Sequence, residues 1–305
     1  MRYVVTGAAG FIGSHLAEAL GAAGHEVVGI DCFTDYYDPA LKQQNARGLD
    51  VRRLDLSEDE LDFTGFDGVF HLAGQPGVRS FGDVFPLYLR RNVLATQRVF
   101  ERAAADGVRV VFSSTSTIYG EAERYPTPED TPPRPLSPYG VTNLACEHLA
   151  LAYARSFGLD AVVLRYFSAY GPRQRPDMAF PRMIDALVGG PPFPLFGDGE
   201  QSRSYTYVLD VVNATIRAMS GARAGSILNV GGGEEATMNE TIALLERISG
   251  RRLAVRREPA VAGDQRRTKA DTGRIRAELG WEPRTSLEAG LRAQWEWAAT
   301  VESRA

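Results

Sequence analysis

The chain has 305 residues, of which 44% are hydrophobic and 24% charged, a composition typical of globular proteins with a core for one or two domains. Its formal net charge of −4 argues against nucleic acid and anionic membranes as partners. No apolar run approaches the ~20 residues that cross a bilayer, and no signal peptide precedes the first apolar segment. Cys32 and Cys146 lie in unrelated segments, so we expect reduced thiols and a cytoplasmic protein.

Strands and helices alternate through the first half of the chain. Short β-branched runs predict strands at residues 2–7, 26–31, 51–55, 68–74, 108–114 and 160–167. Predicted helices between them have apolar faces formed by Leu89, Val93, Phe100 and Ala104 in 87–105 and by Val141, Ala145, Leu149 and Ala152 in 141–156. This alternation predicts an α/β fold with a parallel sheet that is covered by helices on both faces.

The pattern changes after residue 167. Segments 171–178 and 189–203 are rich in Pro and Gly, which predicts a smaller substrate-binding lobe, mainly residues 168–305. Residues 203–230 again read as strand, helix and strand. We therefore expect that this segment returns to the first domain, residues 1–167, and that the two lobes are interleaved.

A glycine-rich turn joins the first predicted strand to a helix over 11–24. The segment TGAAGFIG places Gly7, Gly10 and Gly13 three residues apart, where glycine lets a pyrophosphate approach the backbone and the helix N-terminus. Asp31 ends the second predicted strand, where a carboxylate binds an adenosine ribose hydroxyl and repels a 2′-phosphate. These features predict a doubly wound, Rossmann-type sheet that binds NAD. Asp55, after the third strand, could line the adenine site or cap a following helix.

Hydroxyl side chains cluster at the end of the fifth predicted strand, in the segment SSTSTIYG that begins at Ser113. Ligands bind at the carboxyl ends of strands in open α/β sheets. Tyr139 stands near the start of the helix over 141–156, and Asn143 follows one helical turn later on the same face. With the glycine turn upstream, Tyr139 is a candidate catalytic base.

These motifs together resemble a known family. TGAAGFIG, HLAG, SSTSTIYG, LRYFSAYGPRQRPDM and GDGEQSRSYTYVLDV are similar, in the same order, to motifs of the extended short-chain dehydrogenase/reductases, specifically their nucleotide-sugar epimerases and dehydratases. The resemblance runs through nearly the whole chain. Segments 31–45, 75–80 and 171–179 are most similar to those of UDP-glucuronate 4-epimerases.

The resemblance implies a role for individual positions. NAD would be held by Gly7, Gly10, Phe11, Ile12, Gly13, Asp31, Asp55, Leu56, Ala73, Tyr139 and Asn143. The UDP-sugar would contact Arg79, Thr115, Ser116, Thr117, Ser168, Arg175, Arg203 and Asp264. Thr115 would bond the sugar O4, Tyr139 would act as the base, and Arg203 would contact the diphosphate. No metal is implied.

The implied reaction is the conversion of UDP-glucuronic acid to UDP-galacturonic acid through a 4-keto intermediate. Ser116 and Thr117 replace the Asp-Glu pair of the family's 4,6-dehydratases, and UDP-glucuronate decarboxylases carry Glu at the Thr117 position. Ser168 replaces the Asn of UDP-glucose 4-epimerases, and its small hydroxyl leaves room for a carboxylate. Decarboxylation and epimerisation of a neutral UDP-sugar remain alternatives that product identity decides.

Asn143 departs from the family, which has Lys at this position. The lysine binds the nicotinamide ribose and lowers the pKa of the tyrosine, whereas an amide brings no charge. We therefore expect that ligand binding is kept and turnover is reduced, in a natural homologue or an engineered variant. A non-catalytic protein that binds NAD and a nucleotide-sugar is the alternative. In the family, helices matching 87–105 and 141–156 pair across a two-fold axis, so we expect a homodimer, although core packing would explain the same apolar faces.

Overall fold

The computed structural model describes residues 1–77, 82–260 and 265–302. The strands are β1 (Arg2–Thr6), β2 (Glu26–Asp31), β3 (Val51–Arg53), β4 (Gly68–His71), β5 (Arg109–Thr115), β6 (Ala161–Tyr166), β7 (Ala169–Tyr170), β8 (Phe193–Phe196), β9 (Ser202–Ser204), β10 (Thr206–Tyr207), β11 (Ile227–Val230), β12 (Glu235–Thr237), β13 (Val255–Glu258) and β14 (Arg267–Thr268).

The α-helices are α1 (Phe11–Ala22), α2 (Pro39–Asn45), α3 (Phe85–Tyr88), α4 (Ala95–Asp106), α5 (Pro138–Phe157), α6 (Ala179–Leu187), α7 (Val208–Gly221), α8 (Met238–Ser249), α9 (Gly273–Leu279) and α10 (Leu287–Glu302). Two 3-10 helices (Gly82–Val84 and Ser116–Tyr119) and one π-helix (Leu89–Leu94) complete the described helical segments. None of the described helices is long and apolar enough to cross a membrane.

A seven-stranded parallel sheet organises the larger part of the molecule. Its strand order is β11-β6-β5-β4-β1-β2-β3, so the chain winds outward from β1 in both directions. Val111 on β5 packs into the core on one face, with α1 and α7, whereas Val110 and Phe112 pack into the core on the other face, with α4 and α5. The predicted α/β fold with a doubly wound parallel sheet is confirmed.

The remaining strands belong to a smaller lobe. β8 pairs with β13, and β9 lies between β12 and β14. Phe180 and Met183 of α6, Leu245 of α8 and Leu291 of α10 form its core. Between these segments the chain runs back to the large sheet, where α7 packs against α1 and β11 pairs with β6. Residues on both sides of the 203–230 segment therefore contribute to the smaller lobe.

The apolar face predicted for 87–105 is confirmed in part: Phe100 is buried and Val93 and Ala104 pack against the same core, but Leu89 does not. The π-helix Leu89–Leu94 adds a residue to the turn and rotates everything before it relative to α4. As a result Leu89 is exposed, whereas Phe100 is completely buried. Because the π-turn breaks the 3.6-residue period, residues before it and after it do not lie on one helical face.

The apolar face predicted for 141–156 is also not the buried one. The residues that α5 buries are Gly140, Thr142, Asn143, Cys146, Glu147 and Ala150, most of them small or polar. Val141 is 47% exposed instead. The apolar stripe on α5 thus lies outside the fully buried core, and the buried face is the one that carries the candidate site.

Candidate active site

One large cavity, of about 750 Å³, lies at the carboxyl ends of the central strands and extends to the smaller lobe. This volume suits a dinucleotide-sized or drug-sized ligand. The predicted site residues that line it are Gly7, Gly10, Phe11, Ile12, Gly13, Asp31, Asp55, Leu56, Ala73, Thr115, Tyr139, Asn143, Ser168, Arg175 and Arg203. Ser116 and Thr117, on the following 3-10 turn, do not line it. Arg79 and Asp264 lie outside the described residues.

The glycine turn leaves room where side chains would clash. Gly7 has a φ of +69°, which favours glycine. A Cβ atom on Gly13 would stand 2.1 Å from the Gly7 carbonyl oxygen, so α1 begins tight against the turn. Gly10 caps α1 without any side-chain acceptor, and the first N–H groups of the helix face a place where an anion can bind. The turn therefore fits a pyrophosphate.

Asp31 lies beside this turn at the end of β2. Its carboxylate accepts hydrogen bonds from the backbone N–H of Ala9 (3.2 Å) and of Phe33 (2.7 Å). These contacts fix a negative charge at the cavity wall, as recognition of ribose hydroxyls requires. The chain thus fits the adenosine end of NAD.

Lys42 is a cavity residue that sequence reasoning missed. It lies on α2, its side chain is only 8% exposed, and its Nζ donates to Thr34 Oγ1 at 2.7 Å and stands 4.0 Å from Asp31 Oδ1. Burial lowers the pKa of Lys42, and the charge of Asp31 opposes that fall. The preceding Asp38-Pro39 pair, an N-cap followed by Pro, was the available signal for this short helix.

Asp55 lines the cavity and organises its own loop, whereas the alternative that it caps a following helix is wrong. Its Oδ1 accepts hydrogen bonds from the Ser57 N–H (2.9 Å) and hydroxyl (2.6 Å), and no helix follows it. Burial alone would raise the pKa of Asp55, but the Ser57 hydrogen bonds and the Arg90 charge hold it below its ordinary value. The carboxylate is therefore ionised at neutral pH.

Asn92, in the π-helix, clamps two walls of the cavity together. Its Oδ1 accepts from the Gln75 N–H at 2.6 Å, and its Nδ2 donates to the Gln75 carbonyl (3.2 Å) and to Thr142 Oγ1 (3.1 Å). The loop after β4 is thereby fixed to α5 next to Asn143. π-Turns often occur at functional sites, but their phase change leaves no periodic signal in a sequence.

Tyr139 lies in the first turn of α5, and the sequence defines where this helix begins. Ser137 caps the helix by accepting from the Gly140 N–H at 3.1 Å, and Pro138 occupies the first turn. Asn143 turns its amide back along the helix, donating from Nδ2 to the Tyr139 carbonyl at 2.9 Å. One of its two N–H donors is therefore engaged by the backbone.

The hydroxyl of Tyr139 meets the end of β5 at Thr115. Burial raises the pKa of Tyr139 above its ordinary value, and the charge of Arg175 opposes the rise most strongly, followed by the Thr115 hydroxyl and the Asn143 amide. Thr115 Oγ1 also lies 3.0 Å from Thr117 Oγ1, so Thr117 contacts the site through Thr115. The structure thus brings the predicted base and the predicted sugar-binding hydroxyl together.

A buried ion pair underlies this arrangement and was not predicted. Arg165 on β6 donates from Nη2 to Glu147 Oε2 on α5 at 2.7 Å, and the two side chains are 5% and 3% exposed. Ser114, next to Thr115, donates to the same carboxylate. Because these contacts join β5, β6 and α5, they fix the position of Thr115 relative to Tyr139.

The smaller lobe contributes the remaining predicted residues. Ser168 follows β6, and its carbonyl accepts from the Thr206 N–H at 3.2 Å. Arg203 lies on β9 and donates from Nη1 to the Ser202 carbonyl at 2.9 Å. Arg175 pairs with Asp177 through Nε at 3.0 Å. All three line the cavity together with the glycine turn.

Comparisons with known proteins agree with this geometry. The model of the NAD dependent epimerase/dehydratase family matches residues 3–231. An uncharacterised UDP-glucose epimerase, YtcB, of Bacillus subtilis (strain 168) is 41% identical over 95% of this chain and 96% of its own length. A UDP-glucuronate 4-epimerase of Thermodesulfobacterium geofontis (strain OPF15) is 35% identical, covering 97% and 95%.

A solved structure is similar throughout. UDP-glucuronic acid 4-epimerase from Bacillus cereus, in complex with UDP-glucuronic acid and NAD, superposes with a TM-score of 0.95 at 38% identity. The match covers 99% of this chain and 100% of that one.

Proposed function

The chain belongs to the NAD-dependent epimerase/dehydratase family, and we propose that it interconverts UDP-glucuronic acid and UDP-galacturonic acid by epimerisation at C4. The proposal rests on one observation. The glycine turn and Asp31 line the same cavity as Thr115, Tyr139 and Ser168. A cofactor and a sugar can therefore meet beside a candidate base.

The residues present fit NAD. The glycine turn and the first N–H groups of α1 would bind the pyrophosphate, and Asp31 would bind the adenosine ribose. Tyr139 and Asn143, beside the clamp that Asn92 forms, would meet the nicotinamide half. When bound, NAD⁺ accepts the C4 hydride and gives it back, so that the overall reaction is redox-neutral.

The protein's own groups would move the proton. The Tyr139 phenolate would take the proton of the sugar O4 as the C4–H bond breaks, giving a 4-keto sugar, and would return that proton when the opposite face of C4 is reduced. Thr115 would hold O4 by a hydrogen bond. Arg203 would hold the diphosphate while the keto sugar turns in the cavity.

A neutral hydroxyl favours a uronic acid as the sugar. Ser168 lines the cavity, and its hydroxyl could donate a hydrogen bond to a carboxylate without adding charge. Epimerisation of UDP-glucose is the alternative if the small Ser168 side chain only leaves space. Decarboxylation is the alternative if the 4-keto uronate loses CO₂.

The direct test is a proton NMR time course with UDP-glucuronic acid and catalytic NAD⁺. We expect UDP-galacturonic acid to accumulate until the two sugars reach equilibrium. A pentose product would reassign the chain to decarboxylation, and conversion of UDP-glucose alone would reassign its sugar specificity. Tyr139→Phe is the matched control, because it keeps the ring and removes the hydroxyl that accepts the proton.

A non-catalytic binding protein is the second candidate, and neutral Asn143 is the observation that favours it. Asn143→Lys places an ammonium one turn from Tyr139, which can shift a neighbouring pKa by about 1–3 units. For an enzyme we expect turnover near neutral pH to rise, by up to about 10-fold per unit of pKa shift. Tight binding of both ligands with no turnover in either form would support the non-catalytic function.

We further propose a homodimer formed through α4 and α5 and a cytoplasmic location. The exposed apolar residues of α5 and of the π-helix before α4 support the homodimer. The free thiols of Cys32 and Cys146 support the cytoplasmic location. Cell fractionation with an antibody tests the location, and the dimer is tested below.

A further inference from the structure

The loop between β7 and α6 connects the smaller lobe to the first lobe. We call its residues 172–177 the strap. Gln174, in the middle of the strap, is buried and donates to the Ala169 carbonyl at 3.0 Å. It also accepts from Gln294 Nε2 of α10 at 2.9 Å, and α10 contributes to the core of the smaller lobe. The strap is therefore fixed to the smaller lobe.

The strap also contacts α1, the helix that begins at the glycine turn. Arg173 donates from Nη2 to Glu18 Oε1 at 2.7 Å and from Nη1 to Ser14 Oγ at 3.2 Å. His15 Nε2 donates to the Pro172 carbonyl at 2.9 Å. Arg173 has a left-handed φ of +64°, which persists in a residue other than glycine only where surrounding contacts hold it. These hydrogen bonds join the strap to the element that would bind the pyrophosphate.

A second set of contacts joins the strap to the loop between β2 and α2, which follows Asp31. The Tyr36 hydroxyl of this loop donates to Asp177 Oδ2 at 3.3 Å. The Arg175 guanidinium lies 5.9 Å from the centre of the Tyr36 ring, within the range of a cation–π contact. Arg175 also donates to Asp177 through Nε (3.0 Å) and Nη2 (3.1 Å), which holds both side chains in place. The strap thus contacts both elements that would bind the adenosine half of NAD.

The strap forms part of the cavity wall and is held from outside the cavity. Tyr36, Arg175 and Asp177 line the cavity together with the glycine turn, whereas Arg173 and Glu18 do not line it. The ion pair of Arg173 with Glu18 can therefore hold the strap without touching a ligand. The two side chains are 22% and 41% exposed, so water can replace their contact when the strap moves. Contacts that bridge two lobes and break at low cost suit a closure over a bound cofactor.

We propose that the strap retains NAD, and that the cofactor enters and leaves only when the contacts of Tyr36, Arg173 and Asp177 between the strap and the first lobe are broken. A reaction that takes a hydride from its substrate and gives it back uses the same NAD throughout, whereas the sugar must exchange in every cycle. A strap that joins two cofactor-binding elements meets that need. The need for retention rests on the proposed function, but cofactor exchange can be measured without any sugar.

The first experiment measures cofactor exchange without turnover, with NADH as the probe. Mixing NADH with the cofactor-free full chain gives kon, and mixing the NADH-loaded chain with excess NAD⁺ gives koff, both by stopped-flow fluorescence. Arg173→Gln should raise both rates by about 2- to 10-fold, the effect of losing one hydrogen-bonded contact. Both rates should rise because the contacts of Arg173 join protein groups only, so their loss makes opening easier with and without the cofactor.

Two further variants give the experiment its controls. Asp31→Asn changes a residue that would contact NAD itself, so koff should rise while kon stays the same. Arg252→Gln is the charge-matched control and should change neither rate, because the Arg252 side chain is 92% exposed and pairs with Glu246 of α8. A rise of koff alone in Arg173→Gln would mean that this arginine stabilises only the bound state, and unchanged rates would mean that the strap does not limit exchange. Either result overturns the proposal.

The second experiment asks whether Arg173 acts through α1. Glu18→Gln should also raise both rates, and the double variant should exceed Arg173→Gln by little, because each change breaks the same ion pair. Fully additive effects would contradict a shared contact and overturn the role of this ion pair in retaining NAD.

Tyr36→Phe tests the contact on the cavity side of the strap. The variant keeps the ring and removes the hydroxyl that donates to Asp177, so both exchange rates should rise while the thermal unfolding temperature stays within a few degrees of the parent value. If Arg173→Gln fails to fold, Tyr36→Phe decides by the same outcomes. Because no sugar is present, a chain that turns over no UDP-sugar would overturn the proposed function and leave the exchange rates to decide on the strap.

Discussion

Asn143 and Tyr139 lie one helical turn apart on α5, beside the cavity. Sequence reasoning located both residues on one face of one helix, and the structure places both on the wall of the cavity. What the sequence could not reveal is where the Asn143 amide points, because its contact with the Tyr139 carbonyl depends on the rotamer.

Ser168 is the residue that tests sugar specificity. Ser168→Asn would fill the space beside the sugar ring, so we expect kcat/KM for UDP-glucuronic acid to fall by about 10- to 100-fold, as for a pocket that loses the volume of a small group. The value for UDP-glucose should change less, because its C6 carries no carboxylate. Steady-state kinetics with both sugars measures the difference.

Ser168→Ala separates space from hydrogen bonding. This variant removes the hydroxyl and adds no volume, and a hydrogen bond to a charged group contributes about 1.5–3 kcal/mol. A loss with UDP-glucuronic acid alone would indicate that the hydroxyl binds the carboxylate. Equal losses with both sugars in Ser168→Asn would contradict a role in choosing between them.

At the scale of elements, strands of the parallel sheet were predictable, whereas helix faces were predictable only in part. Buried parallel strands are continuous β-branched runs, so β1, β2 and β6 agree with the prediction to within a residue or two. The helices were assigned faces from a 3.6-residue period. That assumption fails at the π-helix and at α5, whose buried face is polar because it forms the site.

His71, at the end of β4, fixes the strand beside the glycine turn. Thr6 Oγ1 lies 2.7 Å from His71 Nδ1 and accepts from the N–H groups of Leu72 and Ala73, both at 3.1 Å, so its own proton goes to Nδ1. His71 Nε2 then carries the ring proton and donates to Thr96 Oγ1 at 3.0 Å. Burial lowers the pKa of His71 to about 3.

This buried ring should make the fold sensitive to mild acid. An unfolded histidine has a pKa of about 6.5, so between pH 6.5 and 3 the unfolded chain binds a proton that the native ring rejects. The free energy of unfolding should therefore fall with pH below 6.5, with a contribution from His71 of up to about 1.4 kcal/mol per unit. Urea unfolding between pH 5 and 7.5 measures this slope.

His71→Asn should flatten that slope, even though it destabilises the protein at every pH. His148→Asn is the control, because His148 is exposed on α5 and should leave the slope as it is in the parent chain. If His71→Asn and the parent chain lose stability equally as the pH falls, the acid sensitivity comes from other groups.

At the scale of the molecule, residues from two lobes line the cavity, and the chain passes from the first lobe to the second, back, and again to the second. The change to Pro- and Gly-rich segments predicts that a second lobe begins after β6. The pairing of β9 with β12 and β14 was not predictable, since strands of two or three residues leave almost no periodic pattern. Arg175 and Arg203 reach the cavity through this irregular part.

The exposed apolar surface predicts how two copies associate. Leu94 of the π-helix and Val141 of α5 are 45% and 47% exposed, and their elements are joined by the Asn92–Thr142 hydrogen bond. A partner can cover exposed apolar side chains, and a second copy would cover both of these across a two-fold axis. We expect sedimentation velocity to give a dimer, and Leu94→Glu with Val141→Glu to give a folded monomer, because two buried carboxylates face two others.

Leu209→Glu is the matched control: Leu209 is 49% exposed on α7, away from this surface, so its variant should stay dimeric. A dimer that survives Leu94→Glu with Val141→Glu would assign the interface to another face.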